Sequence, residues 1–353
     1  ELNALVRRVD LGADGGAVGV EYQKGRHLYR ASPQREQAEE GGEIVTLRAR
    51  REVILAAGAF NTPQLLMLSG IGPEEQLKAL GIEPRKSLPV GRNLQDRYEV
   101  CVLYRLAAPW KSMEGADFMP GDAVARLWER ERRGMYISNG AALAMKRNSP
   151  GAAGDADLFI MALLGAFQGY YPGYSEALRE QKDVLSWAVL KARTANHAGC
   201  VTLRSADPRD PPLVAFNYFD PDCDPQGKDL KAVAAAVSMA RQAAKPLLDC
   251  GLVTEEICPG GTVDGEALER WVRDNAWGHH ASCTCPMGPP GGGVLDSRLR
   301  VQGVPRLRVV DASIFPKIPG YFIVSAIYMA AEKAAHMILE DAAAAPVRME
   351  KAA

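Results

Sequence analysis

The chain has 353 residues, 47% of them hydrophobic and 24% charged, a globular balance with length enough for one large core or two ordinary ones. Its formal net charge is −1 and its pI about 6.6, so no basic excess points to nucleic acid or to an anionic membrane. Seven cysteines, an odd number over a long chain, argue against a disulfide framework and for a reducing, cytoplasmic setting. The longest apolar run, Leu158 to Phe167, is too short to span a bilayer.

The first 50 residues read as short strands and turns, with a strand over Ala17–Tyr22 and a polar, glutamate-rich loop over Arg30–Gly42. Val53-Ile54-Leu55-Ala56-Ala57 is a compact apolar run ending at Gly58, the pattern of a fully buried strand in a parallel sheet. Thr62-Pro63 reads as a helix start, a hydroxyl cap before a proline, and Gly70 as the stop. A strand, a glycine turn and a helix N-terminus in that order form a natural anion or cofactor site, though the same pattern occurs in α/β units without a ligand. Strands are predicted over Tyr98–Leu106, Leu185–Ala192, Cys200–Arg204 and Arg306–Val310. Amphipathic helices are predicted over Asp229–Lys245, Glu266–Asn275 and Ser325–Leu339, where apolar residues recur at helical spacing.

The densest set of reactive side chains lies between Gly278 and Gly288, with His279, His280, Ser282, Cys283, Thr284 and Cys285. Three chemistries could use it. A metal site is one, but Cys283 and Cys285 are one residue apart, not two as in a zinc knuckle, and no second ligand pair lies near. A cysteine nucleophile with a histidine base is the second. The third is a histidine general base in a cofactor pocket, since imidazole titrates near neutral pH and can take a hydroxyl proton. A structural histidine is the bland alternative, and it is assigned to His27, His197 and His336.

At these residues a family resemblance appears. Gly58-Ala59-Phe60-Asn61-Thr62-Pro63-Gln64-Leu65-Leu66-Met67-Leu68-Ser69-Gly70-Ile71-Gly72 resembles the second signature of the glucose–methanol–choline (GMC) oxidoreductases, and Val90-Gly91-Arg92-Asn93-Leu94-Gln95-Asp96 resembles the family's next block. Gly199–Tyr218, His280–Gly288, Val309–Pro316 and Ala331–Ala335 resemble later segments, in family order, and the Ser282–Cys285 wording is closest to the choline dehydrogenase-like branch. The resemblance implies an α/β plus α+β fold: a partial FAD-binding domain with an antiparallel-sheet substrate domain. Residues 1–97 and 276–353 would be the flavin part and residues 98–275 the substrate part.

It further implies an enzyme that oxidises an alcohol CH–OH group by hydride transfer to N5 of FAD. His280, four residues before Thr284, would be the catalytic base. Val6, Ala57, Gly58, Thr62, Asp311, Ala312, Phe322 and Ile323 would meet the cofactor, with Gly58–Thr62 near its phosphates and Val6 at its adenine. The partners would be a small-molecule alcohol and an acceptor, oxygen or quinone-like, with no nucleic acid. Two departures stand out. No G-x-G-x-x-G follows a predicted strand, and the chain begins at Glu1. The expectation is therefore that it lacks the N-terminal dinucleotide-binding segment and is the C-terminal part of the enzyme. Phe322 also stands where the family has a second histidine or an asparagine, and its ring neither donates nor accepts a proton. The alternative is a non-catalytic remnant or binding module that keeps the substrate-domain fold.

Overall fold

The computed structural model describes residues 1–344; residues 345–353, part of the expected flavin domain, lie outside the described residues. The chain forms two compact units. Glu1–Asp96, His197–Asn217 and the chain from His280 on make one; Arg97–Asn196 and Tyr218–His279 make the other.

In chain order, β1 (Ala4–Leu11), β2 (Ala17–Lys24) and β3 (Ile44–Arg48) form a three-stranded antiparallel sheet. β4 (Val53–Leu55) leads into α1 (Gly58–Leu68), followed by β5 (Ile71–Gly72), α2 (Glu74–Ala79), β6 (Lys86–Ser87) and β7 (Arg92–Leu94). The second unit opens with β8 (Tyr98–Leu106) and continues through α3 (Ala123–Glu131), β9 (Ala141–Arg147), β10 (Leu158–Leu164), α4 (Tyr174–Glu180) and β11 (Val184–Lys191). The chain returns to the first unit for β12 (Gly199–Thr202) and β13 (Leu213–Ala215). It re-enters the second for α5 (Lys228–Asp249), β14 (Val253–Cys258) and α6 (Gly265–Asn275), and finishes in the first with β15 (Leu307–Val309) and α7 (Val324–Ala344).

In the first unit three features differ from the sequence expectation. An uninterrupted middle segment over 98–275 is broken by residues 197–217, because β12 pairs antiparallel with β7 and the Val201 amide donates to the Gly91 carbonyl at 2.7 Å. β4 pairs in parallel with β15, Val53 opposite Leu307 and Leu55 opposite Val309, as a parallel-sheet strand should. Val53 and Leu55 are buried, but Ile54 between them is 44% exposed, so only one face of this strand is covered by the described residues. Finally, α1 begins at Gly58 rather than Thr62 and carries Pro63 in its interior. The core of this unit joins Val53, Leu55, Leu66, Met67, Leu307 and Val309. The Val9 amide, bonded to Ser69 Oγ at 2.8 Å, ties β1 to the end of α1.

The second unit is an antiparallel sheet of order β14-β8-β11-β10-β9 backed by α5. Side chains along β8 alternate: Val100 and Val102 face the α5 side, while Cys101 and Leu103 join a separate cluster with Val184 and Ala188. Both faces are therefore covered, and β8 reads as an almost unbroken apolar run. On α5, Ala232, Ala236, Ala240 and Ala244 recur every fourth residue and are buried, an alanine ridge that lets the helix approach the sheet closely. Val233 and Val237 lie beside it, each contributing about 1.5–3 kcal/mol by burial.

A buried ionic cluster closes one end of this sheet. Lys191, the last residue of β11, lies 3.3 Å from both Asp157 and Asp229 and donates to the Ala192 carbonyl at 2.8 Å. Asp229 sits in the first turn of α5, where the helix dipole favours a carboxylate, and it accepts the Ala195 amide at 2.7 Å. Burial still raises its pKa above the ordinary carboxylate value. Burial acts in the same direction on Asp157, but the Ser149 amide and hydroxyl and the Lys191 ammonium together outweigh it and hold that carboxyl low. Among the described residues no helix is long and apolar enough to cross a membrane, and no disulfide forms. Replacing Lys191 with Met keeps the stem and strands two buried carboxylates, so we expect a loss of about 3–5 kcal/mol in urea denaturation followed by Trp187 fluorescence. A loss below about 1 kcal/mol would contradict the assignment of the cluster as a structural lock.

Candidate active site

The site is built where the two parallel strands end. Ala56-Ala57-Gly58 follows β4 and Val310-Asp311-Ala312 follows β15, so both turns lie at the C-terminal edge of the strands, where open α/β sheets bind ligands. Asp311 joins them. Its Oδ2 accepts the Gly58 amide at 3.0 Å and the Thr62 hydroxyl at 2.6 Å, and its Oδ1 accepts the Ser313 amide at 2.8 Å. The Thr62 oxygen in turn accepts the Ala57 amide at 3.0 Å. The two donors that the sequence offers to a phosphate, the Gly58 amide and the Thr62 hydroxyl, are thus engaged by the protein's own carboxylate. What remains open is different in character. Ala56 and Ala57 are exposed, Gly58 has φ +80°, and a Cβ at Gly58 would meet no heavy atom within 4 Å. This strip is small, unhindered and free of side-chain donors.

The other residues of the Gly58–Leu66 signature dock the helix. Asn61 donates to the Tyr29 hydroxyl at 3.0 Å and to Gln64 at 2.9 Å, and Gln64 donates to the Asp210 carbonyl at 2.7 Å. Pro63 has no N–H, so it cannot close the i→i+4 bond to the Ala59 carbonyl. The Thr284 hydroxyl takes that place, 2.7 Å from the Ala59 oxygen, and Thr284 is fully buried. A proline in α1 and a threonine more than 200 residues later are therefore one unit of structure. This docks the segment that carries His280.

That segment runs extended between two others. On one side the Ser282 amide donates to the Gln95 carbonyl at 2.9 Å, the Gln95 amide to the Ser282 carbonyl at 3.1 Å, and the Gly91 amide to the Thr284 carbonyl at 2.8 Å. On the other, the amides of Cys283, Cys285 and Met287 donate to the carbonyls of Ala312, Ser313 and Ile314. His280 is 5% exposed, its amide bonded to Asp96 Oδ1 at 2.8 Å, and its ring meets the Phe322 ring edge-on at 5.6 Å. Cys283 holds φ +73°, a left-handed backbone rare for a side chain of this kind, and packs with Ala312, Ile318 and Ile323. Cys285 is fully buried, and burial pushes its thiol well above the ordinary value. A buried, protonated thiol is a poor nucleophile, so the cysteine-nucleophile chemistry finds no support at Cys285.

The structure thus brings together Ala57, Gly58, Thr62 and Asp311 by hydrogen bonds, Ala312 and Ile323 in one apolar cluster, and His280 and Phe322 by ring contact. Val6 makes none of these contacts; it lies in β1 opposite Tyr22. The sequence assigns no site role to Gln95 or Asp96, and it reads Pro63 as the first helical residue, whereas Pro63 lies inside α1. The one available signal for Asp96 was a carboxylate at the entrance to an apolar strand. In the second unit, His279 stacks on Trp277 with centroids 5.5 Å apart, lies edge-on to Tyr170 at 5.1 Å, and places Nδ1 3.1 Å from the buried carboxylate of Glu99.

Comparison with known proteins decides the family. Two profiles described as GMC oxidoreductase match, one over residues 3–99 and one over residues 195–331. The chain belongs to the GMC oxidoreductase family. The oxygen-dependent choline dehydrogenase of Vibrio vulnificus strain YJ016 is 33% identical over 322 residues, covering 87% of this chain and 54% of that protein. The crystal structure of a formate oxidase superposes with a TM-score of 0.76 at 25% identity, over 96% of this chain and 60% of that one. A variant of the Aspergillus oryzae RIB40 formate oxidase, studied for its FAD modification, gives 0.75 at 26% identity, over 96% and 60%. The chain spans about half the length of the curated relatives it matches. The N-terminal GMC profile matches from residue 3, so the expected lack of the family's N-terminal part is not confirmed by the match. The GMC match and these flavoprotein neighbours support FAD as the cofactor.

The Pro63–Thr284 pairing makes a quantitative prediction. Thr284→Val should cost about 1–3 kcal/mol, because it strands the buried Ala59 carbonyl. In a Pro63→Ala background the new amide closes the helix bond, and the same change should cost at least about 1 kcal/mol less. Equal costs in the two backgrounds, measured by denaturant titration, would show that the hydroxyl does not serve that carbonyl.

Proposed function

We propose that this GMC oxidoreductase oxidises a small alcohol at a CH–OH group, with FAD as cofactor and His280 as the general base. The observation that carries the proposal is the buried His280, held in an extended segment that docks through Thr284 onto the first turns of α1, beside the small-residue strip at the ends of β4 and β15. Ala57, Gly58, Ala312 and Ile323 would hold the flavin, which supplies the hydride acceptor when bound. His280 takes the hydroxyl proton, which lets the carbinol C–H bond break heterolytically and leaves a carbonyl product. Phe322, edge-on to His280, adds no second proton-handling group; it excludes water from the imidazole. The acceptor that reoxidises the flavin is oxygen or a quinone-like molecule.

The proposal includes a further polypeptide segment. On α7, Val324, Tyr328, Met329 and Leu339 are 57–71% exposed, and Ile54 of β4 adds to the uncovered apolar surface of the first unit. Apolar surface of this extent marks a face that another element covers. A second reading is a non-catalytic binding module, favoured by Phe322 and by the engagement of the α1 donors with Asp311. His280→Ala separates the two. In the flavin-loaded protein it should lower kcat by about 10²–10⁴ with flavin content unchanged. Wild-type turnover in that variant would remove His280 from the chemistry.

A further inference from the structure

We infer that Asp96 is the positioning residue of His280, and that it acts as a hydrogen-bond acceptor rather than as a charge. The inference rests on His280 being the base. Gln95 and Ser282 exchange both of their backbone hydrogen bonds, a bridge between two antiparallel segments. Two residues before Ser282, the regular ladder would give the His280 amide to the backbone carbonyl two residues beyond Gln95. The Asp96 side chain intercepts it, with Oδ1 at 2.8 Å. The two segments pair again at Glu99 and Trp277, one residue out of register, so the irregularity in the ladder falls at the residue that carries the imidazole. The backbone there is held by a side-chain oxygen of a residue that is itself 4% exposed.

The neighbouring residues hold the facing wall. Gln95 Nε2 donates to Asn93 Oδ1 at 2.7 Å and to the Pro316 carbonyl at 3.4 Å, and its Oε1 accepts the Ile318 amide at 3.1 Å. Asn93, at φ +65°, donates to the Pro316 carbonyl at 3.2 Å and to the Cys283 carbonyl at 3.3 Å. The turn at Pro316–Ile318 leads to Phe322. Three residues of one short stretch, Asn93, Gln95 and Asp96, thus grip the His280 segment and the turn that leads to Phe322. The 5.6 Å edge-on approach of the two rings is set by this grip. Because a misplacement of about 1 Å can cost about 10² in rate, a residue that never touches substrate can still control turnover.

Three variants in the flavin-loaded protein test this, each read by hydrogen exchange at the His280 amide, by kcat and KM, and by flavin content. Asp96→Asn keeps an acceptor oxygen in place, and we expect exchange and kcat within about threefold of wild type. Asp96→Ala should speed exchange at His280 and lower kcat by about 10–10², with KM and flavin content unchanged. Asp96→Glu keeps the charge but moves the oxygen by one methylene. It should lower kcat with flavin retained, and it serves where the alanine variant does not fold. The inference is overturned if Asp96→Asn fails as Asp96→Ala does, if Asp96→Glu is indistinguishable from wild type, or if kcat falls only in step with flavin content. The exchange measurement reports the Asp96 contact whatever His280 does. An unchanged kcat in His280→Ala, by contrast, would remove the base itself, so the two failures are distinguishable.

Discussion

One carboxylate organises the first unit. Asp311 follows β15, and its two oxygens collect the Gly58 amide, the Thr62 hydroxyl and the Ser313 amide. A buried carboxylate needs such donors, because burial without them is costly, and the N-terminus of an α-helix supplies them together with a favourable dipole. The consequence is geometric. β4 and β15 run in parallel, and Asp311 closes the gap between the turns that leave them, fixing where α1 starts. Once those donors are taken, the open part of the turn is apolar and small: Ala56, Ala57 and the bare backbone of Gly58. The surface left open at this turn is therefore small and unhindered.

A second constraint follows from an absent atom pair. Pro63 has no N–H, so the Ala59 carbonyl would be buried without a partner, and the Thr284 hydroxyl supplies the bond from a distant part of the chain. Docking Thr284 sets the register of the extended segment on which His280 lies four residues earlier. Asp96 and Gln95 fix that segment from the other side. His280 is thus placed by contacts at both ends of its segment, and its ring faces Phe322. The second unit is held by different means, a two-faced apolar sheet and a closed ionic cluster at Lys191.

Much of this was legible in the sequence, and the limits have physical causes. The α5 helix, β8, β11 and the β4–α1 turn are written in short-range patterns, and each appears close to its expected bounds. The start of α1 was misplaced because Thr62-Pro63 has the form of a cap, while its hydroxyl and its missing amide serve Asp311 and Ala59 instead. The burial of β4 was overstated because an apolar run does not reveal how many neighbours a strand has; Ile54 shows that one face is left open. Residues 197–217 were grouped with the middle of the chain by proximity in sequence, whereas their pairing partner, β7, lies about 100 residues earlier. The positions of Asp96 and Gln95 depend on three segments meeting in space, and no local pattern announces such a meeting. Within the family's motif, Asn61, Thr62 and Gln64 each have a partner far along the chain, and the carbonyl that Pro63 leaves open has one too.

The central claim is that the ends of β4 and β15, with the His280 segment docked beside them, form a flavin site completed by a segment that covers α7. The most direct measurement is the visible absorption spectrum of the chain purified together with that covering segment in the presence of FAD. The account predicts flavin bands that stay with the protein through gel filtration. A folded, colourless complex would contradict it and leave the chain as a binding module without redox chemistry.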